Sequence, residues 1–340
     1  MVRFGVIGLG FMGRTHLASL AAHEGAEVVS VHDVEAERLA GPLTPGGGNI
    51  ETASGAWDAS SVRRCERLEE VLDDPGVDAV VVATPSHLHA DLSCAALAAG
   101  KHVFCEKPMA LTVADCDRML AAAKAAGRQL MIGHCIRFWG EYAQAARIAR
   151  SGQYGALKSL TLTRYGSIPG FGARNWFHDP AKSGAAVLDL HIHDVDYALF
   201  VLGAPAAVRA RGVPGPAGGY HLVVAELDYG PEGPVVSAEG GWLPGEVPFQ
   251  MEFRMCLEKA TVLYKLRTDG PKGRLYVAGE SDPRALPESN AYAAEIDHFI
   301  GCVAGGRPST IVPPGSSRDS VAVAIAETES IRTGRAVEIH

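Results

Sequence analysis

The segment Gly8-Leu9-Gly10-Phe11-Met12-Gly13 constrains this chain more than any other, because it joins an apolar run at 2–7 to a helical pattern at 12–23. In that context the three glycines have separate jobs. The first permits a tight turn, the second lets backbone approach a pyrophosphate, and the third allows close helix–strand packing. Helix N-terminal amides then face the anion. About 20 residues further on, where an acid meets a ribose diol in such folds, Asp33 closes the run 27–32. A carboxylate there repels a 2′-phosphate, and Val34 brings no compensating charge, so NAD is favoured over NADP. Arg38 reads as a solvated helix residue. The expected cofactor contacts are Gly8, Gly10, Phe11, Met12, Gly13 and Asp33.

The rest of the first 135 residues alternates short β-branched runs with longer helical stretches, which is how a parallel sheet covered by helices is written. Strands are predicted at 2–7, 27–32, 78–83, 101–105 and 129–133, and helices at 12–23, 87–99 and 113–126. The segment 41–61, rich in Gly, Thr, Ser and Pro, reads as a loop on the cofactor side. From about Leu157 strand-like runs follow one another: 157–164, 208–213, 221–227, 235–240, 249–257 and 261–266. In the fifth run Phe249, Met251, Phe253, Met255 and Leu257 alternate with Gln250, Glu252, Arg254 and Cys256, the period of a strand covered on one face. A mostly antiparallel sheet follows, with helices at 185–200, 291–303 and 317–333 over one face and the other free to meet a second subunit. The predicted class is α/β: a Rossmann-type doubly wound parallel sheet over 1–135, then an α+β domain with a large, mostly antiparallel sheet over 136–340.

Composition agrees with two domains and narrows the partners. At 340 residues and 47% hydrophobic content the chain exceeds one comfortable core. Lys plus Arg total 31 against 39 acidic residues, a net charge of -8 that disfavours nucleic acid. The first ten residues already form strand and glycine turn, leaving no room for an export signal, and no apolar run approaches the ~20 residues of a membrane helix. A cytoplasmic protein is expected. The seven cysteines (65, 94, 105, 116, 135, 256 and 302) show no CxxC pair and read as buried free thiols.

Ligands of such sheets bind at the C-terminal strand ends. There lie Thr84-Pro85-Ser86-His87-Leu88-His89 and Cys105-Glu106-Lys107-Pro108. Thr84, Pro85, His89, Glu106 and Lys107 are therefore added to the cofactor contacts. Lys107, following a buried strand and pinned by a proline, is the first catalytic candidate. The second cluster is Asp189-Leu190-His191-Ile192-His193-Asp194-Val195-Asp196. On an α-helix Asp189, His193 and Asp196 share one face, while His191 and Asp194 point elsewhere. Three roles for His193 stay open: a general acid/base oriented by Asp189, a metal ligand with too few companions, or a hydrogen-bonded structural histidine. No metal is expected. Arg137, Tyr165, Asn175, Trp176 and His178 are further pocket candidates from their loop context.

Taken together these motifs resemble the Gfo/Idh/MocA oxidoreductases, which include glucose-fructose oxidoreductase and inositol dehydrogenase. The resemblance rests on Gly8-x-Gly10-x-x-Gly13, the stretches 83–89 and 99–108 with Glu106-Lys107-Pro108, and Asp189-x-x-x-His193-x-x-Asp196. It implies hydride transfer between a sugar, cyclitol or polyol hydroxyl and NAD. Lys107 would contact the reacting hydroxyl, His193 handle its proton, and Asp189 help bind the substrate. It also implies a homodimer or homotetramer through the C-terminal sheet. Two alternatives share the fold: a glycoside hydrolase using tightly held NAD for transient oxidation, and a non-catalytic sugar or dinucleotide sensor. The chain departs from the family pattern twice. A frequent glycine triplet reads Ser183-Gly184-Ala185, and His191 stands where many relatives carry a small residue, filling space or touching substrate.

Overall fold

The computed structural model describes residues 1–44, 59–170 and 173–339. The loop expected over 41–61 therefore lies largely outside the described residues. Contacts divide the chain into two compact units: Met1–His134 with Gly170–Trp176 and Tyr292–Arg318, and Cys135–Pro169 with Phe177–Ala291 and Asp319–His340.

The first unit runs β1 (Val2–Ile7), α1 (Phe11–Ala21), β2 (Ala26–His32), α2 (Ala36–Ala40), β3 (Arg63–Cys65), α3 (Glu69–Leu72), β4 (Ala79–Val82), α4 (His89–Ala98), β5 (His102–Glu106), α5 (Val113–Ala126) and β6 (Leu130–Gly133). The strands form one parallel sheet in the order β3-β2-β1-β4-β5-β6, the doubly wound arrangement. The central strands are apolar on both sides because both faces are covered: every residue of β4 is fully buried. The ends of α5 fall where its chemistry puts them. Thr112 Oγ1 accepts from the Asp115 N–H at 3.1 Å, and Gly127 closes the helix in the left-handed conformation. Helix α4 begins two residues later than expected, since Ser86–Leu88 form a separate 3₁₀ turn. The short elements α2, β3 and α3 were not anticipated.

The remaining elements are α6 (Gly140–Ser151), β7 (Leu157–Gly166), α7 (Pro180–Ser183), α8 (Ile192–Leu202), β8 (Ala207–Pro214), β9 (Tyr220–Asp228), β10 (Val235–Trp242), β11 (Gln250–Leu257), β12 (Ala260–Lys265), β13 (Gly273–Val277), β14 (Arg284–Ala285), α9 (Ala291–Gly305), α10 (Pro314–Thr333) and β15 (Val337–Glu338). All but most of α9 and the start of α10 belong to the second unit. Its nine-stranded sheet has the order β14-β13-β12-β11-β7-β10-β9-β8-β15 and is antiparallel except where β7 and β10 run parallel. The alternation in 249–257 holds, with Met251, Phe253, Met255 and Leu257 buried. Tyr142 of the unanticipated α6 packs its ring against Tyr197, Phe253 and Tyr264 at centroid distances of 4.8, 4.6 and 5.0 Å. On the opposite face Val224, Val235, Leu263 and Tyr276 are exposed.

Expected as one α-helix over 185–200, the cluster-bearing segment is instead a π-helical turn, Val187–His191, leading into α8. Hydrogen bonds in a π turn span five residues rather than four, so the straight-helix face deduced for Asp189, His193 and Asp196 does not carry across it. Two residues ahead of the turn, Ala185 adopts a left-handed φ of 55° after Gly184 at 71°. A residue with a Cβ pays about 1–2 kcal/mol there. The departure from a glycine triplet therefore falls on a position where glycine would be relaxed.

Candidate functional site

Gly8 has φ +95°, and a Cβ on Gly13 would sit 1.9 Å from the Gly8 carbonyl oxygen, so neither position admits a side chain. Gly10 is different. A Cβ there would meet nothing nearer than Arg38 Nη1 at 3.8 Å, which leaves the space over the turn open for a pyrophosphate. Arg38, expected to be solvated, is instead half-buried beside the glycine turn. Its guanidinium lies beside Gly10, a positive group that the sequence reading sets aside.

Asp33 ties the end of β2 to that turn. Its Oδ2 accepts from the Leu9 N–H at 2.7 Å and its Oδ1 from the Glu35 N–H at 2.8 Å. Each oxygen retains a lone pair for a diol. Phe11 and Met12 lie half-buried in the first turn of α1. The open cradle at Gly10, the helix start and Asp33 together fit a dinucleotide.

His89 holds the two neighbouring strand-end loops. Its Nδ1 is 2.7 Å from the Pro108 carbonyl and its Nε2 2.9 Å from the Thr84 carbonyl. Burial lowers its pKa, against the pull of those carbonyls. Buried and engaged on both nitrogens, His89 is built as a brace between the loops carrying Thr84, Pro85 and Lys107. Lys107 itself is half-buried, and its N–H donates to Glu106 Oε2 at 3.2 Å. Glu106 is buried, and its Oε1 lies 2.6 Å from His16 Nε2. Burial alone would push the Glu106 carboxyl up; the His16 hydrogen bond and charge, then Lys107, overcome it and hold the pKa below the usual range. The glycine turn, Asp33, Thr84, Pro85, His89, Glu106 and Lys107 thus share the C-terminal edge of one sheet.

In the second unit the structure separates residues that the helix argument had grouped. Asp189 is buried within the π turn, and His193 is half-buried in the first turn of α8. Asp196 does not join them. Its carboxylate accepts from Arg137 Nε at 2.8 Å and Nη2 at 2.6 Å, and from Ser320 Oγ at 2.8 Å, all buried. Arg137, expected against substrate, has this fork committed to Asp196. Asp194 is equally engaged: Arg164 donates to it from Nε at 3.1 Å and Nη2 at 2.8 Å. Tyr165 and Trp176 are half-buried, and Asn175 and His178 are exposed. Trp176 lies in the first unit's share of the chain and Phe177 opens the second's.

His191 finds a partner that sequence spacing did not suggest. Its Nε2 is 3.1 Å from Glu327 Oε2 of α10, both fully buried, at an angle too oblique for a directional hydrogen bond, so the attraction is chiefly Coulombic. Burial lowers the His191 pKa, but the Glu327 charge more than offsets it and the net shift is upward. A folded-state pKa raised above the unfolded value gives stability that is full below about 6.5, the unfolded histidine pKa, and is lost as pH rises through the folded one. Glu327→Gln is therefore expected to cost about 1–3 kcal/mol at acidic pH and less at alkaline pH. Thermal melts of both proteins across that range check it, and a pH-independent difference would contradict the pairing.

The residues overlooked in the sequence, Arg164, Ser320, Glu327 and His16, are partners rather than primary candidates. Only Arg164 announced itself: it follows Leu160 and Leu162 on the inward phase of β7, and a charge there requires a buried acid.

Comparison with known proteins agrees with this architecture. Residues 2–134 match the model of the oxidoreductase family with an NAD-binding Rossmann fold, and residues 142–243 match the GFO/IDH/MocA C-terminal domain. The 1,5-anhydro-D-fructose reductase of Ensifer adhaerens is 28% identical over 349 residues, covering 100% of this chain and 99% of that protein. The myo-inositol 2-dehydrogenase of Thermotoga maritima is 32% identical over 210 residues, 59% of this chain and 55% of the relative. Among solved structures, levoglucosan dehydrogenase in complex with NADH and levoglucosan superposes with a TM-score of 0.84 at 20% identity, over 99% of each chain. With both halves matched by consecutive models of one family, and a glycine turn shaped for a dinucleotide, the chain belongs to the GFO/IDH/MocA family and is an NAD(P)-dependent oxidoreductase.

Proposed function

We propose that this enzyme transfers a hydride between a secondary hydroxyl of a sugar, cyclitol or related polyol and NAD. The observation that carries the proposal is the fixed stem of Lys107, whose backbone N–H is held by the buried Glu106 carboxylate on the same sheet edge as the glycine turn. NAD, when bound by the glycine turn and Asp33, supplies the hydride acceptor at its nicotinamide. Lys107 stabilises the negative charge that develops on the substrate oxygen, and His193 accepts the hydroxyl proton. Asp189, buried one turn earlier, binds or orients the substrate, and Trp176 offers an aromatic surface to a sugar ring. Arg137 acts through Asp196, fixing α8, rather than by touching substrate.

A cytoplasmic location accords with seven cysteines outside any disulfide, five of them buried and Cys94 and Cys256 half-buried, against the expectation that all would be buried. Among the described residues no helix is long and apolar enough to cross a membrane. The exposed apolar residues on the uncovered sheet face support self-association as a homodimer or homotetramer. The test is NADH absorbance with purified protein and NAD or NADP against cyclitols, aldoses, sugar acids and anhydrosugars. Reduction by a member of that panel is expected. Turnover of a glycoside with no net NADH would transfer the site to transient oxidation, and NADH binding without any reaction would favour a sensor.

A further inference from the structure

Three ionisable side chains of the first unit meet away from solvent: His16 of α1, Glu106 at the end of β5 and Glu295 of α9. One nitrogen or oxygen of each lies within 4.8 Å of the others, and relative exposures are 0%, 6% and 0%. His16 Nε2 and Glu106 Oε1 are 2.6 Å apart. Among the described residues no donor reaches either oxygen of Glu295, so the only hydrogen bond open to this carboxyl toward Glu106 is one that it donates itself. The rings of Phe104 and Tyr292 stand edge-on to His16 at 5.0 and 6.4 Å, and neither brings a formal charge. Among the described residues, Lys107, following Glu106, and His89 of α4, whose burial lowers its pKa, also act on Glu106 through their charge.

Counting charge decides the state of this group. His16 Nε2 and Glu106 Oε1, 2.6 Å apart, hold one proton between them, with Lys107 adding to the hold on Glu106. An ionised Glu295 would then be a second buried carboxylate with no donor, a state far costlier than the neutral acid. A divalent cation is the competing occupant. Two ligands bound at about 2.0–2.1 Å around a tetrahedral metal stand about 3.3 Å apart, whereas His16 and Glu106 are at proton-sharing distance.

We propose that Glu295 is a neutral carboxylic acid whose O–H serves the Glu106 carboxylate, completing a buried triad with His16 that positions Lys107. Burial first, and the Glu106 charge second, hold the Glu295 carboxyl well above the usual range. The consequence for turnover rests on the role proposed above for Lys107; the protonation of Glu295 does not.

Infrared spectroscopy of the full-length enzyme at neutral pH is expected to show the carbonyl band of a protonated buried carboxylic acid, absent from Glu295→Gln. Glu295→Gln, neutral and still a donor, should keep kcat within about threefold, while Glu295→Leu should lower kcat about 10–100-fold with KM little changed. Absence of the band, stoichiometric zinc or manganese in the purified protein, or a glutamine variant as impaired as the leucine one would each overturn the proposal. Because the band is read without substrate, it stays informative if Glu295→Leu fails to fold or if Lys107 proves dispensable.

Discussion

Lys107→Ala lowers kcat by about 10²–10³, and His193→Ala by about 10²–10⁴, while NADH binds to both variants nearly as tightly as to the parent. These are the outcomes expected if Lys107 stabilises charge on the reacting oxygen and His193 takes its proton. The cofactor cradle is built from other atoms: the open turn at Gly10, the carboxylate of Asp33 and the start of α1. Steady-state kinetics with the substrate found in the panel, beside a fluorescence titration with NADH, separate the two properties. Retained turnover in both variants would remove both residues from the chemistry, and loss of NADH binding with turnover would make them structural. A rise in KM alone for Lys107→Ala would mean uniform binding rather than transition-state stabilisation.

Arg137→Ala and Asp196→Ala are each expected to cost about 3–5 kcal/mol, because removing one partner strands the other charge in the interior. For a unit of this size that corresponds to a fall in Tm of roughly 10 °C. Replacing both by apolar residues of similar volume should recover most of the loss, since a buried pair contributes little net stability over good packing. Denaturant melts of the two single variants and the double variant measure the coupling. Ser320, the third member, donates to the same carboxylate and sets how much of the penalty Arg137→Ala incurs. If Arg137→Ala leaves Tm unchanged and raises KM, the guanidinium belongs to substrate after all, as its loop position had first suggested.

The parallel sheet was legible because each of its signals is local. The glycine turn follows a strand and opens a helix, Thr112 and Gly127 bracket α5, and β4 is apolar on both faces. The antiparallel sheet was legible for the same reason, through the two-residue alternation of β11. What escaped was short or relational. Helices α2 and α3 and strand β3 are too brief to show a period. Helix α6 relies on Tyr142, Ala145, Ala146 and Ile148, a small apolar face among charged residues. Nothing in Val-Leu-Asp-Leu-His distinguishes a π turn from an α turn, because backbone hydrogen bonds choose between them. The pairing of acids with bases is wholly tertiary: Arg137 meets Asp196 and Arg164 meets Asp194 only once β7, α8 and α10 are assembled. Five ionisable residues at 189–196 are legible in the sequence, but which of them already have partners is not.

Strand β7 sits at the centre of the large sheet, between β11 and β10, and neither neighbour is nearby in the chain. Ser159 must wait for Val235 and Tyr165 for Gln250. At translation rates of about 5–20 residues per second, β7 leaves the ribosome several seconds before it has anything to pair with. Through that interval Leu160 and Leu162 are uncovered, and Arg164 is without the strand that will shield it. Long-range closure of this kind is slow. The second unit should therefore be the part of the nascent protein that holdase chaperones occupy longest, and truncations ending before β11 should aggregate rather than accumulate as folded fragments.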